Sequence, residues 1–356
     1  MTARDHFDTL APEYSVTVNG APLPNEALAD VIALSVLEDV GAASMFALTL
    51  SAWDTVQMKP KWIDDALCRE GNPVDIGLGY RDDTPPLLSG EITGVEPAFL
   101  LAQPPTLTLR GHDRRHRLMR SRRTRSFTHC KDSDIASRLA GEAGLRPEAD
   151  DSGVTLPYVL QHNQTDLEFL SQRARRIGFE VWVQDRTLRF GPRKTDASPV
   201  LTLHREVELL EFRPRLSTLG QVGEVAVHGW SAQDKREIVG RAAVGDESRL
   251  MGGSQSGPAS VRRAFEPVAS ARVTQPVHGQ EEADQLARRG FVEMALGHIR
   301  AEGLCIGTSA LRAGCVVRLE GLGERFSGPY YVTSAEHRFG RQKGYRTAFT
   351  ARRNTT

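Results

Sequence analysis

The sequence predicts a mainly β fold with α+β parts: two similar antiparallel β-barrel domains, the second split by an insertion, plus a small α+β domain. Three observations carry this expectation. The stretch from Gly71 to Leu109 has a looser second edition from Gly314 to Phe349. Glycine (32 residues) and proline (19) are plentiful while aromatics make up only 6%, which fits many turns between short strands. Between the two copies lie segments with helical rather than two-residue periodicity.

Each copy opens on a Gly three residues before an alternating apolar segment: Val74, Ile76 and Leu78 in one, Val317 and Leu319 in the other. A Ser-Gly step follows in both, at Ser89-Gly90 and Ser327-Gly328, and then two further strand-like runs. Two-residue apolar alternation bounded by Gly and Pro marks half-buried antiparallel strands. The pair suggests a duplicated barrel; two unrelated meanders with similar turns are the alternative.

In chain order, Tyr14, Val16 and Val18 alternate ahead of Asn19-Gly20, a strong hairpin signal. Val31 to Val40 and Met45 to Leu50 are further strands, so residues 1–110 form the first barrel. Asp132 or Ser133 is expected to cap a helix ending at Gly144. Thr165-Asp-Leu-Glu168 reads as a capping box, with Gly178 at the left-handed C-terminal position. The runs FEVWV and TLRF then form a hairpin, giving an α+β domain over 111–195. GPRKTDASP (Gly191 to Pro199) reads as a linker. Strands at Leu201–Leu203, Val207–Phe212 and Val222–Val227 start a second barrel assigned to 196–239 and 303–356. Residues 240–302 are its insertion, an exposed polar loop (Gly240 to Pro258) and a helix from about Glu281 to Ile299.

Composition excludes several function classes. With 45 basic and 45 acidic residues there is no global attraction to nucleic acid or anionic membrane. Cys68, Cys130, Cys305 and Cys315 lie far apart, as isolated thiols of a chain that folds in the cytoplasm. The N-terminal MTARDHFDTLAPEY has no apolar segment of a signal peptide, and no window approaches the ~18 apolar residues of a membrane span.

The most conspicuous charge feature is the run from Arg110 to Phe127. Arg114, Arg115, Arg117, Arg120, Arg122, Arg123 and Arg125 crowd it, with Asp113 as its sole acid. Phosphate binding needs such a cluster, yet aromatic platforms for bases are nearly absent. The favoured reading is a protein-contact or domain-junction segment using the bidentate fork of arginine, with Arg114, Arg115, Arg117, Arg122, Arg123 and Arg125 as its candidates. His112 and His116 have helix-borne metal spacing, but Arg114 and Arg115 between them would repel a cation. The acidic pairs Asp64-Asp65, Asp82-Asp83 and Asp150-Asp151 read as solvated turns. Ser254 and Ser256 sit in a Gly/Ser loop, not a nucleophile elbow. No motif carries chemistry, so no enzyme activity, cofactor or metal is expected.

Several segments together resemble the late control D family, the baseplate hub of contractile phage tails and phage-tail-like injection systems; the hub half of VgrG is similar too. The segments are YSVTVNG, LLSGEITGVEP, LRGHDRRHRL, QHNQTDLEFLSQRARRIGFEVWVQDRTLRF (Gln161 to Phe190), LSTLGQVGEVAVHGW and LRAGCVVRLEGLGERFSGPYYVTSAEH. The resemblance implies tube-like barrels, a homotrimer, and a symmetry adaptor between a sixfold inner tube and a threefold spike. It implies as partners the inner tube protein, a spike and baseplate wedge or sheath-side proteins, with no nucleic acid and no direct membrane insertion. Assembly would occur in the cytoplasm, followed by incorporation into a tail-like particle. Thr356 follows the second barrel copy directly, so the spike is expected to be a separate protein. A nucleic-acid-binding protein using Arg110–Arg125, or a cell-wall hydrolase of the tail tip, are the alternatives.

Overall fold

The computed structural model describes residues 11–81, 83–231, 235–247, 249–265, 270–274 and 276–356. The reading of the first ten residues as lacking a signal segment, and Asp82 of the Asp82-Asp83 pair, lie outside the described residues.

Strand β1 (Pro12–Val18) turns through Asn19 and Gly20, at φ 55° and 77°, into β2 (Ala21–Pro22), as the Asn-Gly pair requires. Helix α1 (Asn25–Asp30), β3 (Val31–Asp39), β4 (Ala42–Ser51) and the two-residue strands β5 (Trp53–Asp54) and β6 (Lys59–Pro60) follow. The first copy of the repeat is β7 (Pro73–Tyr80), β8 (Pro86–Ala98) and β9 (Thr106–Asp113). Six strands are hydrogen-bonded in the order β3-β4-β9-β8-β7-β1 and curl round one core that includes Val16, Leu34, Leu48, Ile76 and Leu107. Full burial of each such side chain contributes about 1.5–3 kcal/mol, which fixes the face that every strand turns inward.

A 3-10 turn (Arg114–Met119) leads into β10 (Arg122–Cys130), α2 (Asp132–Glu142), β11 (Arg146–Ala149), β12 (Leu156–Thr165), α3 (Asp166–Ile177), β13 (Phe179–Gln184) and β14 (Thr187–Pro192). These enclose a separate core around Ile135, Leu139, Phe169, Leu170 and Phe190. The box at α3 is present: Glu168 N–H donates to Thr165 Oγ1 (3.2 Å), Thr165 N–H to Glu168 Oε2 (3.0 Å), and Gly178 takes φ 73°. At α2 the capping expectation is corrected. The N-cap position is Lys131, whose N–H donates to Asp134 (2.9 Å), because Asp132 is held by Arg173 (2.6 Å).

The remaining elements are β15 (Thr202–His204), β16 (Leu209–Leu216), β17 (Glu224–Ser231), β18 (Arg236–Ala243), α4 (Gly257–Ala264), β19 (Ser270–Thr274), α5 (Gln280–Leu296), β20 (Ile299–Ile306), β21 (Val316–Glu320), α6 (Gly323–Phe326), β22 (Gly328–Gly340) and β23 (Gly344–Arg353). Strands β16, β20, β23, β22, β21 and β15 form the second barrel, around Leu203, Leu209, Ile299, Val317, Val332 and Phe349. It is split as expected, since β16 and β20 pair across the intervening insertion.

Three expectations about the insertion change. The strand at Val222–Val227 does not join the barrel: β17 pairs with β18 and β19 in its own sheet. Val225 and Val227 bury against Ala283, Leu286, Ala287 and Phe291 of α5, so α5 covers the apolar face that the barrel was expected to take. Gly240 is part of this fit, because a Cβ there would stand 2.1 Å from the Ala283 carbonyl oxygen. Helix α5 ends at Leu296 rather than Ile299, which already begins β20. The polar run after Gly240 is not a free excursion either. Met251 is buried, and Arg353 Nε donates to its carbonyl (3.0 Å).

The two repeat copies superpose in their hydrogen bonding. Gly71 and Gly314 take φ 87° and 86°, and their N–H groups donate to Ile92 O and Val332 O, each at 2.8 Å. A β-bulge follows at once in both, between Ile92 and Gly94 and between Val332 and Ser334. Val74 pairs with Gly90 and Val317 with Tyr330, so Tyr330 is the counterpart of Gly90. The two Ser-Gly steps are therefore not equivalent. Gly90 lets the His112 carbonyl approach, 2.4 Å from where a Cβ would be, whereas Gly328 takes φ 134°. The barrels are one sheet: the second half of β22 pairs with β3 from Ser334↔Asp39 to Gly340↔Ala33.

Candidate functional site

The arginine run begins where β9 ends. The buried Asp113 carboxylate accepts from Ser44 N–H (2.9 Å), Arg115 N–H (2.8 Å) and Arg115 Nε (2.9 Å). Arg115 also donates to Ser44 Oγ (2.9 Å) and to the Val181 carbonyl (3.1 Å), which ties β9 and β4 to β13. Glu91 gathers Arg117 and His116 (2.7 Å), and Arg114 reaches Asp185 (2.7 Å). Burial pushes the Glu91 carboxyl up, but hydrogen bonds from Arg117 and His116 outweigh it and hold it below its ordinary value. Farther along, Arg122 meets Glu168 (2.9 Å) and Arg123 meets Glu142 (2.9 Å). Arg125 bridges Glu142 (2.6 Å) and Asp166 (2.8 Å). Burial raises the Glu142 carboxyl, and the bonds from Arg125 and Arg138 more than reverse that. All six candidate arginines thus have carboxylate partners within the chain. His112 Nδ1 lies 2.8 Å from Thr93 Oγ1, and His116 is occupied by Glu91. Among the described residues no group of three His, Cys, Asp or Glu side chains is placed to hold a metal ion, and no helix is long and apolar enough to cross a membrane.

A second junction, between the barrels, is carried by residues that no sequence motif marks. Arg312 Nε donates to Glu38 Oε2 (2.7 Å), and Arg312 also reaches the Pro86 carbonyl (3.2 Å) and that of Leu87. Arg341, in the β22–β23 turn, donates to the carbonyls of Val31 (2.7 Å) and Ala29. Phe339 of β22 enters the first barrel's core, its ring centroid 4.8 Å from that of Tyr14. A cavity of about 530 Å³ lies where both barrels meet the α+β domain, with Asp113, Arg115, Glu38, Arg312 and Glu180 in its walls. Asp113 pairs there with Arg115, Glu38 with Arg312 and Glu180 with Arg193, and Tyr331 Oη donates to Glu180 (2.5 Å). The arrangement fastens modules together and holds no nucleophile beside a base.

Two open strand edges belong to the large sheet that forms the barrels. One is the outer side of β16; the other is the half of β8 beyond its bulge, Gly94 to Ala98. The site is therefore one of rigid junctions beside open strand edges.

The family model described as the Alg8 N-terminal domain matches residues 8–340. The chain belongs to the Alg8 N-terminal domain family. No curated protein sequence matches it. Among solved structures it shares its fold with a tail protein from Neisseria meningitidis MC58 (TM-score 0.70, 14% identity, 96% of each chain covered). The 43 kDa tail protein of prophage MuSo2 from Shewanella oneidensis gives a TM-score of 0.68 at 12% identity, covering 96% of this chain and 98% of that one. An E. coli component of the type VI secretion system gives 0.60 at 14% identity, covering 96% and 77%.

Proposed function

We propose that the chain is a non-enzymatic baseplate hub of a contractile, phage-tail-like particle, of the late control D type. The observation that carries this is the internal repeat: two barrels with the same glycine, bulge and strand order in one continuous sheet. Three such chains present six similar barrels, so one ring meets a sixfold inner tube on one face and a threefold spike on the other. The shared fold supports the reading, since neighbours carrying it are tail proteins, a type VI secretion component and VgrG in a complex with PdpA. The proposed partners are two further copies, the inner tube protein, a spike and wedge or sheath-side proteins.

Light scattering on the purified chain, alone and with its spike, is expected to give three copies per complex, with hub and spike in one-to-one ratio. A stable dimer, or a monomer under both conditions, overturns the adaptor. Because the arginine run is occupied by Glu91, Glu142, Glu168 and Asp166, nucleic acid is not among the proposed partners. Tight duplex binding with a steep salt slope, abolished by Arg122→Glu with Arg123→Glu, would reverse that statement.

A further inference from the structure

The barrel–barrel seam inside the chain has a counterpart that the chain leaves empty. Hydrogen-bond equivalence maps β8 onto β22, because Ile92 matches Val332 at the bulge, and maps β9 onto β23. Carried across the next two ladders, it maps β4 onto β20 and β3 onto β16, with Leu34 falling on Phe212 and Leu37 on Arg215. Within the chain the second half of β22 lies against β3. The matching second half of β8 and the outer edge of β16 both lack a partner strand, and six strands separate them along the sheet.

We propose that the segment from Gly94 of β8 to Phe99, just beyond its end, pairs antiparallel with β16 of a second copy, in the register that β22 and β3 use within one chain. That register sets Val95 opposite Leu216, Glu96 opposite Arg215 and Phe99 opposite Phe212. Two features point to this occupant. Phe99 is 61% exposed at a strand end, while its counterpart Phe339 is 9% exposed because the neighbouring barrel encloses it. Glu96, which also holds Arg110 (2.8 Å), falls opposite a cation that has no carboxylate across its own ladder. Pro97 and Pro214 fall opposite each other, so that rung lacks both N–H donors and the ladder's hydrogen bonds fall to the residues flanking it. Each copy offers one edge of each kind, so the contact is head-to-tail and a closed set of copies leaves neither of these two edges open.

The inference rests on the hub reading, and the test separates the two. In an antiparallel ladder, the rung of Glu96 and Arg215 corresponds to Glu336↔Leu37, with Cα atoms about 4.5–5.5 Å apart, within disulfide reach. Oxidising the assembled Glu96→Cys, Arg215→Cys variant is expected to link chains into covalent dimers and trimers on a non-reducing gel. The shifted pair Glu96→Cys, Arg213→Cys and the unsubstituted chain are expected to show at least tenfold less linkage. Phe99→Asp is expected to abolish the three-copy particle without lowering the melting midpoint of the unassembled chain. A three-copy particle in which the first pair fails to link, or in which both pairs link equally, overturns the seam and leaves the hub standing. A chain that stays monomeric alone and with tube and spike partners overturns the hub reading itself.

Discussion

The two barrels end their third strand on a buried charge, and the charges are opposite. Asp113 closes β9 and Arg353 closes β23, at matching places in the repeat. Asp113 fixes Arg115 and so fastens the α+β domain. Arg353 donates to the carbonyls of Met251 (3.0 Å) and Ser327 (2.7 Å) and so fastens the insertion. The barrel frame is thus duplicated, while the anchor at its end is adapted to whichever module each copy carries. The cores differ in the same spirit. The first barrel's core cluster is aliphatic except for Phe46, Cys68, Phe339 and Tyr345, the last two lent by β22 and β23, whereas the second barrel's strands bury Tyr330, Tyr331, His337 and Thr347 completely.

Breaking the anchors tests this most strongly. Asp113→Ala leaves the Arg115 guanidinium buried without its carboxylate and is expected to cost about 3–5 kcal/mol, read by urea unfolding. Arg353→Met leaves carbonyls of Met251 and Ser327 unpaired and is expected to cost about 3 kcal/mol. Limited proteolysis should then cut near Met251 in this variant, and near the junction of β9 with the α+β domain in the other. Similar cleavage patterns in both variants would mean that the anchors are not specific to their modules.

The polar core of the second barrel predicts a difference in acid. Burial, and then the nearby Arg312 charge, push the His337 imidazole down to about 3; its Nδ1 lies 2.8 Å from Tyr345 Oη. The ring is neutral in the folded chain and takes up a proton on unfolding once the pH is below its unfolded value near 6.5. Its contribution is therefore complete above about pH 6.5 and is lost as the pH falls towards 3, by about 1.4 kcal/mol per unit. His337→Gln is expected to flatten the acid limb of stability against pH between 6 and 4. An unchanged slope would show that carboxylates alone set the acid limit. The smallest effect belongs to Thr165→Ala, expected to cost about 0.5–2 kcal/mol through the lost cap of α3 and to leave both barrels intact.

Strand alternation, the Asn19-Gly20 turn and the Thr165/Glu168 box were legible in the sequence because each is a local pattern with a local cause. The insertion was only half legible. Val225 and Val227 show the alternation of a strand but say nothing about which core receives them, and α5 settles that from more than 50 residues away. The arginine run and its lone acid Asp113 stood out in the sequence, but no local pattern assigns it Glu91, Glu142 and Asp166, which stand 26, 17 and 41 positions from the arginines that hold them. Arg312 with Glu38 lay beyond sequence reasoning, since the two are 274 positions apart.

That long-range joint has a consequence for the growing chain. Strand β3 emerges early, but the edge it offers is covered only when β22 arrives, and Arg341 and the Val31 carbonyl it binds are 310 positions apart. At a synthesis rate of about 5–20 residues per second, β3 waits on the order of 15–60 seconds with an unpaired edge. In that interval every nascent chain displays a strand that another nascent chain's β22 fits equally well. Polysomes making this protein at high density are therefore where swapped dimers should arise, and slowing initiation should raise the yield of correctly closed chains more than lowering the temperature does.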